Sequence, residues 1–179
     1  MKTMATLLTL VVLATTVNFA GAQDPYNFRA DRKISPQNYR PHTARTYSSS
    51  ALGHAQALQH YGKTSEIISP ETTKEHAVGV RQNLGSFTKE IDKLAKDVGV
   101  KDDAEAMKLI VSIRDHLKKA AEHCGMVEAE CAKHEVKGSS LSNCCTDMVK
   151  ELRAAHDGHE KLLKHLKIPS TASADHVTK

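Results

Sequence analysis

Apolar residues recur at alternating steps of three and four positions through three long segments of this chain. This spacing returns side chains to one face of an α-helix, and such a face packs against other helices. The first series is Ala77, Val80, Leu84, Phe87, Ile91, Leu94 and Val98. The second is Ile110, Ile113, Leu117, Ala120, Cys124, Val127, Cys131 and His134. The third is Leu141, Cys145, Met148, Leu152, Ala155, His159, Leu162 and Leu166. The pattern predicts an all-α protein with three long helices.

Turn and cap signals separate these segments and keep the connections short. Residues 69–71 (Ser-Pro-Glu) are typical of a helix start, with proline in the first turn. Gly99 and Gly138 are predicted to end the first two long helices, and the stretch ALGHAQALQHYG predicts a short helix closed by Gly62. Short connections favour antiparallel neighbours. We therefore expect an antiparallel up-down four-helix bundle over residues 51–168, made of one short helix and three long ones.

Residues 1–22 have the features of a secretory signal peptide. Lys2 is followed by the apolar run LLTLVVLATTV, and Ala20 and Ala22 form a small-residue cleavage site. The apolar run is too short for a comfortable membrane span. We therefore expect cleavage near Ala22 and export of the mature chain, to the periplasm or outside the cell, with no transmembrane segment in it.

Residues 23–50 and 169–179 lack a helical or strand period, and we expect both segments to be disordered. The first is a Pro/Tyr/Arg arm whose basic residues outnumber its acidic ones. These basic residues are Arg29, Arg32, Lys33, Arg40 and Arg45. The arm could contact an anionic envelope surface or act only as a solvated spacer. The rest of the chain is neutral and has no Trp, so nucleic-acid binding is not expected.

Three cysteines lie around the predicted turn at Gly138, in the stretch CAKHEVKGSSLSNCC. Residues equally far from the turn of an antiparallel hairpin lie at one height. With the turn centred on Gly138, the predicted pairs are Ile110–Leu166, Ile113–Leu162, Leu117–His159, Ala120–Ala155, Cys124–Leu152 and Cys131–Cys145. Facing cysteines in an exported protein usually form a disulfide. We therefore predict a Cys131–Cys145 disulfide, worth about 3 kcal/mol, with Cys144 as the alternative partner of Cys131.

The same hairpin end contains ligands that suit a soft metal. Cys131 and His134 lie three residues apart on one helix face, and Cys144 and Cys145 lie on the facing helix. Thiolate and imidazole ligands suit Zn²⁺, and thiolate with thioether suits Cu(I). Weaker candidate ligands are Cys124, His123, Met148, His116 and His159. A copper or zinc site is therefore the alternative to the disulfide.

The stretches HCGMVEAECAKHE and NCCTDMVKELRAA, which contain most of these residues, resemble the cysteine-lined four-helix copper-storage proteins. The resemblance implies copper binding by thiolates inside a helical bundle. This chain has four cysteines, far fewer than that family uses.

The sequence contains no motif that predicts catalysis. It has no Glu-x-x-His pair of a di-iron bundle, no Cys-x-x-Cys redox motif and no Gly-rich phosphate loop. We therefore expect a non-enzymatic, exported helical bundle that acts as a structural or interaction module and is crosslinked by the disulfide. Soft-metal binding or storage at the same hairpin end is the alternative function.

Overall fold

The computed structural model describes residues 36–168, with side chains from Arg40 onwards. Helices account for 85% of these residues, which confirms the all-α prediction. In chain order the elements are α1 (Pro36–Thr64), β1 (Ile67–Ile68), α2 (Pro70–Leu94), α3 (Val98–Lys101), α4 (Ala104–Cys131), β2 (Val136–Lys137) and α5 (Gly138–His165). Within the described range, no helix combines the length and apolar character needed to cross a membrane. The predicted signal peptide (1–22), residues 23–35 of the predicted arm and the predicted tail 169–179 lie outside the described residues.

The three predicted apolar faces are buried on α2, α4 and α5. The buried members are Ala77, Val80, Leu84, Phe87, Ile91, Leu94, Ile110, Ile113, Leu117, Ala120, Cys124, Val127, Cys131, Leu141, Cys145, Met148, Leu152, Ala155, His159 and Leu162. Burial was predicted wrongly for two residues of these series. Val98 is 76% exposed at the start of α3, and His134 is exposed in the connection after α4. Both lie about one turn beyond the point where the preceding long helix ends.

The first helix is much longer than predicted. α1 begins at Pro36, so the disordered arm is wrong for residues 36–50, and the predicted start of the helical domain at residue 51 is wrong with it. The buried residues on this helix include Ala44, Ser48, Ala51, Ala55 and Leu58, which keep the steps of three and four. Most of these side chains are small. Small residues contrast little with their neighbours in hydropathy, so the helical period is weak in the sequence.

Two arginines assigned to the arm lie on α1 and form ion pairs with other parts of the domain. Arg40 Nη1 donates to Asp97 Oδ1 at 2.8 Å, and Arg45 Nη2 donates to Glu160 Oε2 at 2.5 Å. A guanidinium that is already paired is less available to an anionic surface. The predicted contact between the arm and an envelope surface would therefore depend on the basic residues before residue 36.

Each of the four long helices packs against two others. α1 contacts α2 and α5, and α4 contacts α2 and α5. The core between them contains Phe87 of α2, whose ring meets the ring of His159 on α5 edge-on, with 5.6 Å between the ring centroids. The short α3 packs against α4. The buried faces of the four long helices therefore share one core.

The connection after α1 and the connection after α4 meet at one end of the domain. β1 pairs antiparallel with β2, so that Ile67 lies opposite Lys137 and Ile68 lies opposite Val136. The backbone N–H of Gly138 also donates to the carbonyl oxygen of Glu66 at 2.9 Å. This short bridge joins two connections that are far apart in the sequence.

Two glycines allow the backbones of α1 and α5 to touch beside this bridge. A Cβ atom at Gly138 would lie 1.8 Å from the carbonyl oxygen of Ser65, and a Cβ atom at Gly62 would lie 2.6 Å from the carbonyl oxygen of Gly138. These neighbours are backbone atoms, which cannot swing aside as a side chain can. Gly62 and Gly138 therefore set the distance between the end of α1 and the start of α5, and we call this the glycine contact.

The α4–α5 hairpin is centred at a different residue from the predicted one. α4 ends at Cys131 and α5 begins at Gly138, so Gly138 opens a helix instead of ending one. The centre of the hairpin lies between His134 and Glu135. This moves every partner on α5 by about seven residues, or two helical turns.

Contacts between α4 and α5 agree with the new centre. A Cβ atom at Gly158 would lie 3.0 Å from Ile113 Cγ1, whereas the predicted register placed Leu162 there. Farther along, His116 Nδ1 lies 2.7 Å from Glu151 Oε2, and His165 Nε2 lies 2.8 Å from Asp103 Oδ2. The predicted pairs, Cys131–Cys145 among them, are therefore not at one height.

Replacing Gly138 by alanine should destabilise the protein, because the added methyl group would overlap the Ser65 carbonyl oxygen. Overpacking of this kind costs about 1–3 kcal/mol. Gly85→Ala is the matched control: Gly85 lies inside α2 with no atom within 4 Å of its added Cβ. That substitution should stabilise by about 1 kcal/mol. Urea unfolding followed by circular dichroism measures both, and a Gly138→Ala variant as stable as the parent chain would contradict the glycine contact.

Candidate functional site

The four cysteines lie on the two helices of the α4–α5 hairpin, and all four are free thiols in the structure. Cys124 and Cys131 lie on α4, and Cys144 and Cys145 lie on α5. Cys124 and Cys145 are fully buried, Cys131 is 7% exposed, and Cys144 is half-buried. Helical spacing explains this pattern, because the three buried cysteines are members of the apolar series while Cys144 is one position off the buried face.

Burial raises the pKa of every one of these thiols. The pKa of Cys145 rises to about 12, first through burial and then through the charged forms of Cys131, Cys144 and Cys124. Burial and the nearby Glu128 carboxylate raise the pKa of Cys124 to about 11, although Arg81 partly opposes this. The thiolate is the nucleophile and the metal ligand. At neutral pH these cysteines are therefore neutral thiols, without the lowered pKa of a catalytic cysteine.

Cys131 lies at the edge of an open groove between the start of α2 and the end of α4. The groove has a volume of about 580 Å³, and its lining includes Lys74, Val78, Glu128 and Cys131. Burial raises the pKa of Cys131, and a hydrogen bond with Thr73 opposes that rise. The groove brings solvent close to one thiol of the hairpin, while the other buried thiols remain inside the core.

The predicted Cys131–Cys145 pair does not lie level in the observed register. Cys131 ends α4 at the height of Gly138, and Cys145 lies at the height of Cys124. Seven residues along a helix correspond to about 10 Å, and a disulfide requires Cα atoms within about 7 Å. The charged form of Cys131 still contributes to the raised pKa of Cys145, so the two thiols influence each other electrostatically. The disulfide, with Cys144 as the alternative partner, stays a prediction.

The predicted metal ligands do not come together. Among residues 36–168, no group of three or more His, Cys, Asp or Glu side chains could hold one metal ion. His134 is exposed, Met148 is sealed in the core, and the Nδ1 atom of His123 is buried without a hydrogen-bond partner. His116 bonds to Glu151 and lowers the pKa of that carboxyl group, so it does not join His159.

A polar cluster between α1 and α5 was not predicted from the sequence. Ser48 Oγ lies 2.8 Å from His156 Nδ1 and also 2.8 Å from the carbonyl oxygen of Arg45. A serine beside an imidazole resembles an activated nucleophile, but Ser48 is only 1% exposed. A substrate cannot reach it in this packing. The sequence feature that could have revealed the cluster is Ser48, which occupies a buried position on the face of α1 that small residues form.

His159 is the most unusual residue of the core. Its side chain is fully buried, and neither ring nitrogen has a hydrogen-bond partner among residues 36–168. Burial is the main cause that lowers its pKa to about 3, and His156, Arg45 and His42 add to the effect. A neutral imidazole always carries one N–H donor and one acceptor. The core therefore contains two unpaired polar atoms beside the ring of Phe87.

No protein-family model matches this chain, and no curated protein or solved structure matches it either.

His159→Leu should make the protein more resistant to acid. In the unfolded chain a histidine binds its proton near pH 6.5, whereas native His159 stays neutral until about pH 3. Between these values the unfolded state holds one more proton, so the free energy of unfolding falls by about 1.4 kcal/mol for each unit of decreasing pH. The variant should lose about 2 kcal/mol less than the parent chain between neutral pH and about pH 5.

Urea unfolding at the two pH values measures this difference. His134→Leu is the control, because it makes the same replacement at an exposed histidine outside the core. Equal losses of stability in the parent chain and in His159→Leu would show that His159 is not kept neutral in the core.

Proposed function

We propose that the protein is an exported structural or interaction module without enzymatic activity, built as an antiparallel up-down four-helix bundle. The observation that carries the proposal is that the four long helices share one core, which buries several side chains of reactive types. The thiols of Cys124 and Cys145 and the hydroxyl of Ser48 all lie inside it. The outer surface is then what remains for contact with other molecules.

The bundle topology is supported by the order of the helix contacts. α1 contacts α2, α2 contacts α4, α4 contacts α5, and α5 returns to α1. Short connections favour antiparallel neighbours in sequence. Four helices that follow one another around a core in this way form an up-down bundle. The glycine contact and the β1–β2 bridge join two of its connections at the same end.

The absence of catalysis is supported by the electrostatics of the candidate nucleophiles. Burial raises the pKa of each thiol, which is opposite to the shift that activates a cysteine. Ser48 donates its hydroxyl hydrogen to the Arg45 carbonyl oxygen and not to His156, and it is buried away from any substrate. A buried thiol or hydroxyl cannot meet a substrate, so in this packing it contributes only to the core.

Export and a disulfide crosslink complete the proposal. Export rests on the signal-peptide features of residues 1–22. In an oxidising compartment, the cysteines of an exported protein commonly form disulfides. We propose Cys131 and Cys145 as the crosslinked pair, which requires the last turn of α4 to move towards Cys145.

Counting thiols in the protein isolated from its own compartment tests the crosslink. Alkylation of the unfolded, unreduced chain should modify two cysteines, and reduction should release two more. Peptide mapping should then join Cys131 to Cys145. Under oxidising conditions Cys131→Ser should lower the free energy of unfolding by about 3 kcal/mol more than under reducing conditions. Mass spectrometry and urea unfolding provide these measurements.

Cys124→Ser is the matched control, because it removes a buried thiol of α4 that is outside the proposed crosslink. Its effect on stability should be the same with and without reductant. Four alkylatable thiols and no metal would remove the crosslink but leave the bundle. Four thiols with stoichiometric zinc or copper would overturn the structural proposal in favour of soft-metal binding at the hairpin. Turnover of a substrate by the purified chain would overturn the non-enzymatic assignment.

A further inference from the structure

Two histidines from different helices point ring nitrogens at each other across the α1–α2 interface. His54 Nδ1 lies 3.0 Å from His76 Nδ1, and the ring centroids are 5.3 Å apart. An imidazole nitrogen is either a donor or an acceptor, so one proton must lie between the two atoms. Both side chains are half-buried, and solvent ions can therefore reach the pair.

Packing holds both rings in place. A Cβ atom at Gly79 would lie 2.8 Å from His54 Nε2, so the missing side chain makes the space that the His54 ring occupies against α2. The ring of Tyr61 lies beside that of His76, with 5.5 Å between centroids. Preorganised ligands lose less conformational freedom when they bind an ion. The two nitrogens are thus positioned before any ion arrives.

We propose that His54 and His76 form a binding site for a divalent transition metal, with the ion displacing the shared proton and lying to one side of the line between the two nitrogens. The separation of the two nitrogens, which is that of a hydrogen bond, is also compatible with an ion bound by both. Two ligands about 2.1 Å from one ion and at right angles to each other are about 3.0 Å apart, whereas tetrahedral ligands are about 3.4 Å apart. The observed 3.0 Å fits neighbouring positions of a square-planar or octahedral ion.

Ni²⁺ and Cu²⁺ are the divalent ions that combine imidazole ligands with this geometry. Two histidines occupy two coordination positions, and water completes the others on the solvent side. The site is separate from the cysteines of the hairpin, and it goes beyond the proposed structural role.

Titration of the full-length chain with Ni²⁺ in a calorimeter tests the site, and Ni²⁺ has the advantage that it does not oxidise the thiols. His54→Gln and His76→Gln should each weaken Ni²⁺ binding more than about tenfold, which is about 1.4 kcal/mol. His60→Gln is the control, because His60 lies on the same helix and is exposed. Its Ni²⁺ affinity should match that of the parent chain.

Gly79→Ala provides a second test that leaves both ligands in the chain. The added methyl group would displace the His54 ring, so Ni²⁺ affinity should fall about tenfold or more. Gly85→Ala, on the same helix with no atom within 4 Å of its added Cβ, should bind Ni²⁺ as the parent chain does. Circular dichroism confirms that each variant is folded before titration.

A bound ion also stabilises the folded state by mass action. Ni²⁺ should therefore raise the melting temperature of the parent chain and of His60→Gln, and should raise that of His54→Gln by less at the same Ni²⁺ concentration. The proposal is overturned if His54→Gln and His76→Gln bind Ni²⁺ as tightly as the parent chain. It is equally overturned if Gly79→Ala keeps full affinity, since the positioning of the His54 ring would then have no effect.

Discussion

The backbone contact between Gly62 and Gly138 is the constraint on which the arrangement of this domain depends. It lets the last turn of α1 and the first turn of α5 approach more closely than any side chain would permit. The β1–β2 bridge lies beside it and needs the same approach. Because α1 and α5 are the first and last helices described, this contact closes the ring of helices. The core containing Phe87 and His159 is then shared by all four long helices.

The sequence predicted the faces of the long helices well and their placement less well. Large side chains such as Ile113 and Leu152 repeat with helical spacing, and burial of such side chains is the main stabilising term in folding. Residues 36–50 of α1 escaped prediction because small side chains such as Ala44 and Ser48 form their buried face, and these residue types occur on helix surfaces as well. The register of the α4–α5 hairpin was not predicted correctly, because Gly138 was taken as the centre of the turn. A glycine that allows close packing cannot be distinguished from one that ends a helix without knowledge of the neighbouring backbone.

The same distinction between local spacing and tertiary placement applies to the candidate sites. The cysteines were found from their spacing along α4 and α5, which is local information. Whether Cys131 meets Cys145 depends on the hairpin centre, which the spacing does not contain. The His54–His76 pair and the burial of His159 depend on contacts between helices that are distant in sequence. Such groupings arise from tertiary packing, and a single sequence records only the separate residues.

The two ends of the helical domain differ in how their elements are joined. At the end with the glycine contact, backbone atoms meet through van der Waals packing and the β1–β2 hydrogen bonds. At the opposite end, the partly exposed ion pair Arg40–Asp97 ties α1 to the α2–α4 connection, and His165 of α5 forms a hydrogen bond with Asp103. Dissolved salt screens exposed charges but not packing. Rising ionic strength therefore weakens the tie between the start of α1 and the α2–α4 connection, and hydrogen exchange in concentrated salt should increase where α1 starts.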